Sequence, residues 1–197
     1  MKDVLQGFLK AVSYRSPHTR QNPRLRQETT AEIVSWDAGL SWNFINALTD
    51  TCCTIAECAY AHTSYEHQLL ISIYTTYLVY ADDVGQHNVE AVGQFVQRFT
   101  RREPQLVSVL DRLAALLGTL HDYYPRVSAD AIINNTLDSL TAMYIELMTQ
   151  GATIPPAAAR YPLYLRLKTG IGSAYTHFNF TKDLVEGTGL SYLQMIP

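Results

Sequence analysis

Apolar residues recur every three to four positions along most of this chain, which is the spacing of one face of an α-helix. The first stretch, 4–14, places Leu5, Phe8, Leu9 and Val12 on one face. The same pattern predicts further helices over 24–36, 41–61, from the N-cap Ser64 to the Asp82-Asp83 pair, 89–100, 105–124, 129–149 and 161–177, with a new apolar helix beginning at Leu190. No stretch alternates as a strand does, so the sequence predicts an all-α helical bundle.

Local signals set the predicted helix boundaries. Pro104 suits the first turn of the helix over 105–124, Pro125 ends that helix, and Ser128 is the expected cap of the next. Gly170 and Gly172 each weaken the predicted helix over 161–177 by roughly 1 kcal/mol, which indicates a bend or a close backbone approach there.

Composition and charge argue against several classes of function. The 197 residues suffice for one domain, or most of one, and the net charge of −3 provides no basic field for nucleic acid. No apolar run reaches the length of a membrane span and no secretory signal is recognisable at the start. Three cysteines, Cys52, Cys53 and Cys58, crowd into one segment without zinc spacing, so we expect buried thiols and a reducing, cytoplasmic location.

Two adjacent carboxylates, Asp82 and Asp83, end the apolar and aromatic helix that begins after Ser64. Adjacent acids repel each other and lose hydration at the end of a buried helix, and a divalent cation such as Mg²⁺ relieves both costs. A solvated helix end is the more common interpretation of such a pair taken alone. The apolar context favours carboxylates at the mouth of a cavity between helices.

Arg166 and Lys168 are the second candidate pair. Arg166 lies in the middle of a helix whose other side is apolar, and its planar fork suits a diphosphate, with Lys168 adding charge nearby. A surface ion pair explains this segment equally well, and both interpretations stay open.

Four segments together resemble the fungal sesquiterpene cyclases of the trichodiene synthase type, which are class I terpene synthases. The resemblance runs from about Trp36 to the last residue. It rests on the run Thr-Tyr-Leu-Val-Tyr-Ala-Asp-Asp at 76–83, the helix from Asn134 to Glu146, Leu-Arg-Leu-Lys-Thr-Gly-Ile-Gly at 165–172, and the tail from Tyr175 to Lys182 that leads to 192–197. The whole chain, 1–197, would then be a single, partial cyclase α-domain.

The resemblance implies a Mg²⁺-dependent reaction on farnesyl diphosphate. Asp82 matches the first, metal-bridging position of the family's aspartate-rich motif, Asp83 the second, and Gln86 the last, where the family has an acid. Arg166 matches the arginine that senses diphosphate. Loss of diphosphate would leave an allylic cation that apolar and aromatic walls shield, with Tyr77 as a candidate wall or as an ordinary core residue.

The family's second metal motif, with Asn, Ser and Glu (or a variant with Asp) four residues apart, does not occur in 184–197, so the resemblance implies a bundle that is incomplete at its C-terminal end. We therefore expect this chain to be inactive or nearly so. The alternative is a non-catalytic helical remnant that binds a prenyl diphosphate weakly or associates with a partner through an exposed apolar face. The oligomeric state stays open, with a homodimer as one possibility. A chain-elongating prenyl synthase fits less well, because only one aspartate-rich motif is present.

Overall fold

The computed structural model describes residues 2–13, 21–169, 171–187 and 191–195. Its α-helices are α1 (Lys2–Ala11), α2 (Pro23–Val34), α3 (Trp42–Ala59), α4 (Tyr65–Val84), α5 (Val89–Arg101), α6 (Ser108–Tyr123), α7 (Arg126–Thr149), α8 (Tyr161–Thr169), α9 (Gly172–His177) and α10 (Lys182–Val185). Short 3₁₀ turns cover Gly85–His87, Pro156–Ala158 and Ser191–Met195. No strand occurs in the described ranges, so the predicted all-α class is confirmed.

Two long helices organise the bundle. Helix α4 packs against α2, α3 and α6, and α7 packs against α5, α6, α8 and α9. Tyr74 on α4 is fully buried, and its hydroxyl lies 2.6 Å from Thr136 Oγ1 on α7. Tyr175 on α9 donates to Thr75 Oγ1 on α4 over 2.9 Å. These hydrogen bonds satisfy the hydroxyl groups inside the core and fix the position of α4 relative to α7 and α9.

Several helix ends differ from the prediction. The Ser64 cap is confirmed, since its hydroxyl accepts a hydrogen bond from the His67 backbone N–H. Helix α6 begins at Ser108 instead of 105. Helix α7 begins at Arg126, directly after Pro125, and Ser128 is a buried residue inside that helix instead of its cap. Proline at the N-terminal boundary of α7 fixes the start by itself, because its φ is already close to helical.

The predicted continuous helix over 161–177 is wrong. The chain forms α8 and α9, separated at Ile171, whose φ of +46° lies in the left-handed region that a β-branched residue rarely adopts. Gly172 begins α9, while Gly170 lies outside the described residues, as do Tyr14 and the predicted helix start at Leu190.

The cysteine prediction holds in part. Cys52 and Cys53 are buried, and burial raises the pKa of the Cys52 thiol. Cys58 is exposed, contrary to expectation, and lies in the last turn of α3. No helix of the described chain is long and apolar enough to cross a membrane.

Candidate functional site

Asp82 and Asp83 form the last turn of α4, and both side chains are exposed. A helix C-terminus carries partial negative charge, and α4 has no basic residue in its last turn to offset it. Within the described ranges neither carboxylate has an ion-pair partner. The pKa of Asp82 is raised, first because protein atoms displace water from its carboxylate and second because Asp83 repels its charge. The negative charge at this helix end is therefore not balanced by any basic side chain of the described residues, and a cation would stabilise it.

Arg166 and Lys168 have different environments although they are two residues apart on α8. Lys168 donates to Asp138 Oδ2 on α7, and this contact raises the pKa of Lys168. Arg166 is exposed and forms no ion pair with any residue that the structure describes. The guanidinium is thus free to bind an anion, whereas the ammonium group is already paired.

A cavity of about 990 Å³ brings the two helix segments together. It lies between the end of α4, the end of α7 and the side of α8. Its lining residues are Asp82, Asp83, Gln86, Glu146, Leu147, Thr149, Gln150, Gly151, Ala152, Thr153, Ile154, Pro155, Ala158, Tyr161, Pro162, Leu165, Arg166 and Thr169. This volume is at the upper end of the range typical of small-molecule sites.

The connection between α7 and α8 forms one wall of this cavity. Gly151 has a φ of +78°, a conformation that glycine adopts without strain, and it turns the chain away from the end of α7. Pro155 is extended, and Pro156 begins the short 3₁₀ turn that precedes α8. The hydroxyls of Thr149 and Tyr161 lie 2.9 Å apart and join the two ends of the connection.

Of the six residues predicted for the site, four line the cavity: Asp82, Asp83, Gln86 and Arg166. Lys168 and Tyr77 do not. Tyr77 is buried in the core, where its ring packs on Trp36 with centroids 5.4 Å apart and its hydroxyl donates to Glu32 Oε1 over 2.6 Å. This environment matches the core alternative that was open for Tyr77.

The sequence reasoning missed the contribution of α7 and of the 151–155 connection. Glu146 is an exposed third acid on the cavity wall, and Leu147 and Leu165 add apolar surface. The only signal for Glu146 was its place at the end of the helix that carries the family resemblance. Which residues of a connection line a cavity depends on helix packing, and periodicity does not encode that.

The side-chain oxygens of Asp82, Asp83 and Gln86 fit a Mg²⁺ ion that also binds phosphate oxygens. In the described part of the chain no three His, Cys, Asp or Glu residues lie close enough to hold a metal ion by themselves. Mg²⁺ commonly takes one or two carboxylates and fills its other positions with water and substrate phosphate oxygens. Asp82 and Asp83 provide that number of carboxylates on an open cavity, with Gln86 adding an amide oxygen beside them.

The chain is similar in sequence to proteins of one known family. The family model described as trichodiene synthase (TRI5) matches residues 19–195. The chain is 29% identical over 198 residues to "Terpene synthase BipA" of Cochliobolus sativus, covering 98% of this chain and 60% of that protein. It is 26% identical over 144 residues to "Alpha-cuprenene synthase COP6" of Coprinopsis cinerea, covering 73% and 43% of the two chains. It is 25% identical over 190 residues to "(E)-beta farnesene synthase" of Metarhizium brunneum, covering 92% and 56%. The chain thus spans about 60% or less of the length of these relatives.

Proposed function

Because this chain belongs to the trichodiene synthase family of terpene synthases, we propose that it provides the first metal-binding wall and the diphosphate-binding arginine of a sesquiterpene cyclase site. The substrate would be farnesyl diphosphate and the cofactor Mg²⁺. One observation carries the proposal: Asp82, Asp83 and Arg166 line the same cavity. Carboxylates and a guanidinium on one cavity suit a metal-bound diphosphate, since the metal takes the carboxylates and the arginine takes the diphosphate oxygens.

The chemistry that this cavity supports is cleavage of an allylic carbon–oxygen bond. Both electrons of that bond leave with the diphosphate oxygen, and the prenyl group becomes an allylic cation. Mg²⁺ would neutralise the charge that develops on the diphosphate. Arg166 would bind the same group through two parallel N–H donors, which orient the leaving oxygen as well as stabilise it.

The apolar part of the cavity would hold the prenyl chain. Leu147, Ile154 and Leu165 line it together with the aromatic ring of Tyr161. Such walls exclude water from a carbocation, and an aromatic face stabilises positive charge. Gln86 replaces an acid of the family motif with a neutral amide, so we expect metal binding here to be weaker than with an acid at that position.

Diphosphate binding tests the proposal directly. Isothermal titration of the purified chain with inorganic pyrophosphate and Mg²⁺ should show binding that Arg166→Ala weakens roughly 10- to 100-fold, the value of one or two charge-assisted hydrogen bonds. Arg160→Ala is the matched control, because Arg160 is exposed shortly before α8, does not line the cavity and changes the net charge equally. Equal losses of pyrophosphate affinity in the two variants would show that Arg166 contributes only to the overall positive charge and makes no specific contact with the diphosphate.

We propose further that the 197-residue chain alone turns over farnesyl diphosphate slowly or not at all, since it contains one of the family's two metal motifs. Gas chromatography of hydrocarbon products after incubation with Mg²⁺ measures this. Turnover by the purified chain that disappears in Asp82→Ala would contradict the proposal of inactivity and support that of the site. We also propose that the protein is cytoplasmic, which the free thiols of Cys52 and Cys53 support.

A non-catalytic role is the second candidate, and the surface of α8 favours it. Leu163 and Leu167 are 59% and 72% exposed on this helix, and Met148 on α7 is 62% exposed. Leu163 and Leu167 lie one turn apart on α8, and adjacent exposed apolar side chains are typical of association surfaces. Light scattering after gel filtration would detect a homodimer, and loss of the dimer in Leu167→Asp would assign it to α8. A monomer at all concentrations would leave the association role without support.

A further inference from the structure

Helices α2 and α4 run side by side in the same direction. Side chains from the two helices meet at three successive levels, in chain order Thr29 with Ser72, Glu32 with Tyr77, and Trp36, just after α2, with Tyr80. Because residue numbers increase along both helices, the end of α2 lies against the last turns of α4. These are the turns that lead to Asp82 and Asp83.

Glu32 accepts three hydrogen bonds at a single carboxylate oxygen. The donors to its Oε1 are the Tyr77 hydroxyl over 2.6 Å, the Arg112 guanidinium over 2.9 Å and the Trp36 indole N–H over 3.1 Å. Arg112 also donates to the backbone oxygen of Ser35 over 3.1 Å. Hydrogen bonds to an ionised acceptor are shorter and stronger than those between neutral groups. One carboxylate therefore joins α2, α4 and α6.

Tyr77 is the residue through which this network holds α4. Among the residues that the structure describes, its bond to Glu32 is the last side-chain hydrogen bond from α4 to another helix before Asp82. The Trp36 ring packs on the rings of Tyr77 and Tyr80, in each case with centroids 5.4 Å apart. The end of α4 is thus held from the side of α2.

The acidic pair projects from the other side of α4. At 100° per residue, the side chains of Asp82 and Asp83 lie about 140° and about 120° around the helix axis from that of Tyr77. Both aspartates line the cavity, whereas Tyr77 and Glu32 do not. A rotation of α4 would move both carboxylates relative to the cavity, and Mg²⁺ tolerates little displacement because it requires near-octahedral ligands at about 2.1 Å.

We infer that Glu32 is a positioning residue for the site at the end of α4. Through Tyr77 it fixes the rotation of the helix and so directs Asp82 and Asp83 into the cavity. The inference rests on the proposed function for the ligand, a metal-bound diphosphate. The alternative is a polar contact that stabilises the bundle without affecting the site, and the two are separated by a control of equal or greater structural cost.

Glu57→Ala is that matched control for Glu32→Ala. Each variant truncates a glutamate that pairs with an arginine of another helix, and the Glu57 side chain is more buried, at 4% exposure against 22% for Glu32. Glu57 pairs with Arg26 near the beginning of α2, whereas Asp82 and Asp83 lie beside the end of that helix.

Amide hydrogen exchange of the metal-free protein tests the positioning by itself. In Glu32→Ala the amides of residues 80–84 should exchange about tenfold faster than in the unchanged chain, whereas Glu57→Ala should leave them unchanged. Tyr77→Phe keeps the ring and loses only the hydroxyl, so it should give about a threefold rise even if Glu32→Ala does not fold. Unchanged exchange at 80–84 in Tyr77→Phe would overturn the inference, whether or not the chain binds Mg²⁺.

Isothermal titration with Mg²⁺ and inorganic pyrophosphate tests the consequence for the site. Glu32→Ala should weaken binding about tenfold, and Glu32→Gln should recover most of the affinity, because its amide oxygen still accepts hydrogen bonds. Glu57→Ala should bind as the unchanged chain does. Equal losses in Glu32→Ala and Glu57→Ala would overturn the inference, since lost stability would explain both. Binding that Asp82→Ala leaves intact would instead refute the proposed function, and the exchange rates would still decide how α4 is held.

Discussion

Replacing Asp82 by asparagine should stabilise the metal-free protein while removing its response to Mg²⁺. The substitution keeps the shape of the side chain and removes one of two adjacent negative charges at the end of α4. Removing an acid from a helix C-terminus gains about 0.3–1 kcal/mol, and relief of the repulsion from Asp83 adds a few tenths. We therefore expect the free energy of unfolding to rise by roughly 0.5–1.5 kcal/mol, or about 1–5 °C in melting temperature for a chain of this size.

Mg²⁺ should stabilise the unchanged chain and have little effect on Asp82→Asn. For the unchanged chain, Mg²⁺ at ten times its dissociation constant adds about 1.4 kcal/mol of stability by mass action. Asp82→Asn should show little of this gain, because it retains a single carboxylate at the helix end. Thermal unfolding followed by circular dichroism, with Mg²⁺ or with NaCl of equal ionic strength, separates specific binding from screening.

The pH dependence of the free energy of unfolding provides a second test of the Asp82→Asn prediction. The pKa of Asp82 is raised in the folded state, so its ionisation costs stability above that folded pKa. The cost disappears as pH falls below the ordinary aspartate value of about 3.9, where the carboxyl is protonated in both states. The advantage of Asp82→Asn should therefore be largest near neutral pH and shrink in acid.

Asp122→Asn is the matched control for this experiment. Asp122 also lies in the last turn of a helix, α6, but it has no adjacent acid and does not line the cavity. Asp122→Asn should gain only the helix-terminus part, about 0.3–1 kcal/mol, and should keep the full response to Mg²⁺. If Mg²⁺ stabilised Asp82→Asn as much as the unchanged chain, or if Asp122→Asn lost the response to Mg²⁺ equally, the assignment of a cation site to the end of α4 would be refuted.

Three further substitutions test the packing that positions the site, each by urea unfolding. Gly93→Ala should destabilise by up to about 2 kcal/mol, because the new Cβ would lie 2.7 Å from the Tyr144 ring and that clash outweighs the helix propensity gained; unchanged stability would contradict this close approach of α5 and α7. Gly118→Ala on α6 should instead stabilise by up to about 1 kcal/mol, since no atom of the described residues lies within 4 Å of its added Cβ; a loss of stability would be the contrary result. Glu57→Gln should cost about 2–3 kcal/mol, because Glu57 is buried and accepts from Arg26 over 2.9 Å and 3.2 Å; a loss below 0.5 kcal/mol would show that this pair behaves as an ordinary surface pair.

Local signals were sufficient for the helices themselves and for the acidic motif. Ser64 caps α4 as predicted, because capping depends on a hydroxyl and a backbone N–H only three residues apart. Boundary errors occurred where two local signals competed, as at Pro125 and Ser128. At Ile171 the sequence indicated only a bend, whereas the helix breaks there. Glycine makes a helix less stable, but this cost does not determine at which residue the helix ends.

The sequence by itself determined the all-α class, the family resemblance and the Asp82-Asp83 pair at a helix end. Tertiary structure alone decided how Arg166 and Lys168 differ, because the partner of Lys168 is Asp138, 30 residues away on another helix. It likewise placed Tyr77 in the core through Glu32, 45 residues away, and made the 151–155 connection a cavity wall. Helix periodicity reports which face is apolar, whereas the choice of partner for a polar side chain depends on which helices pack together.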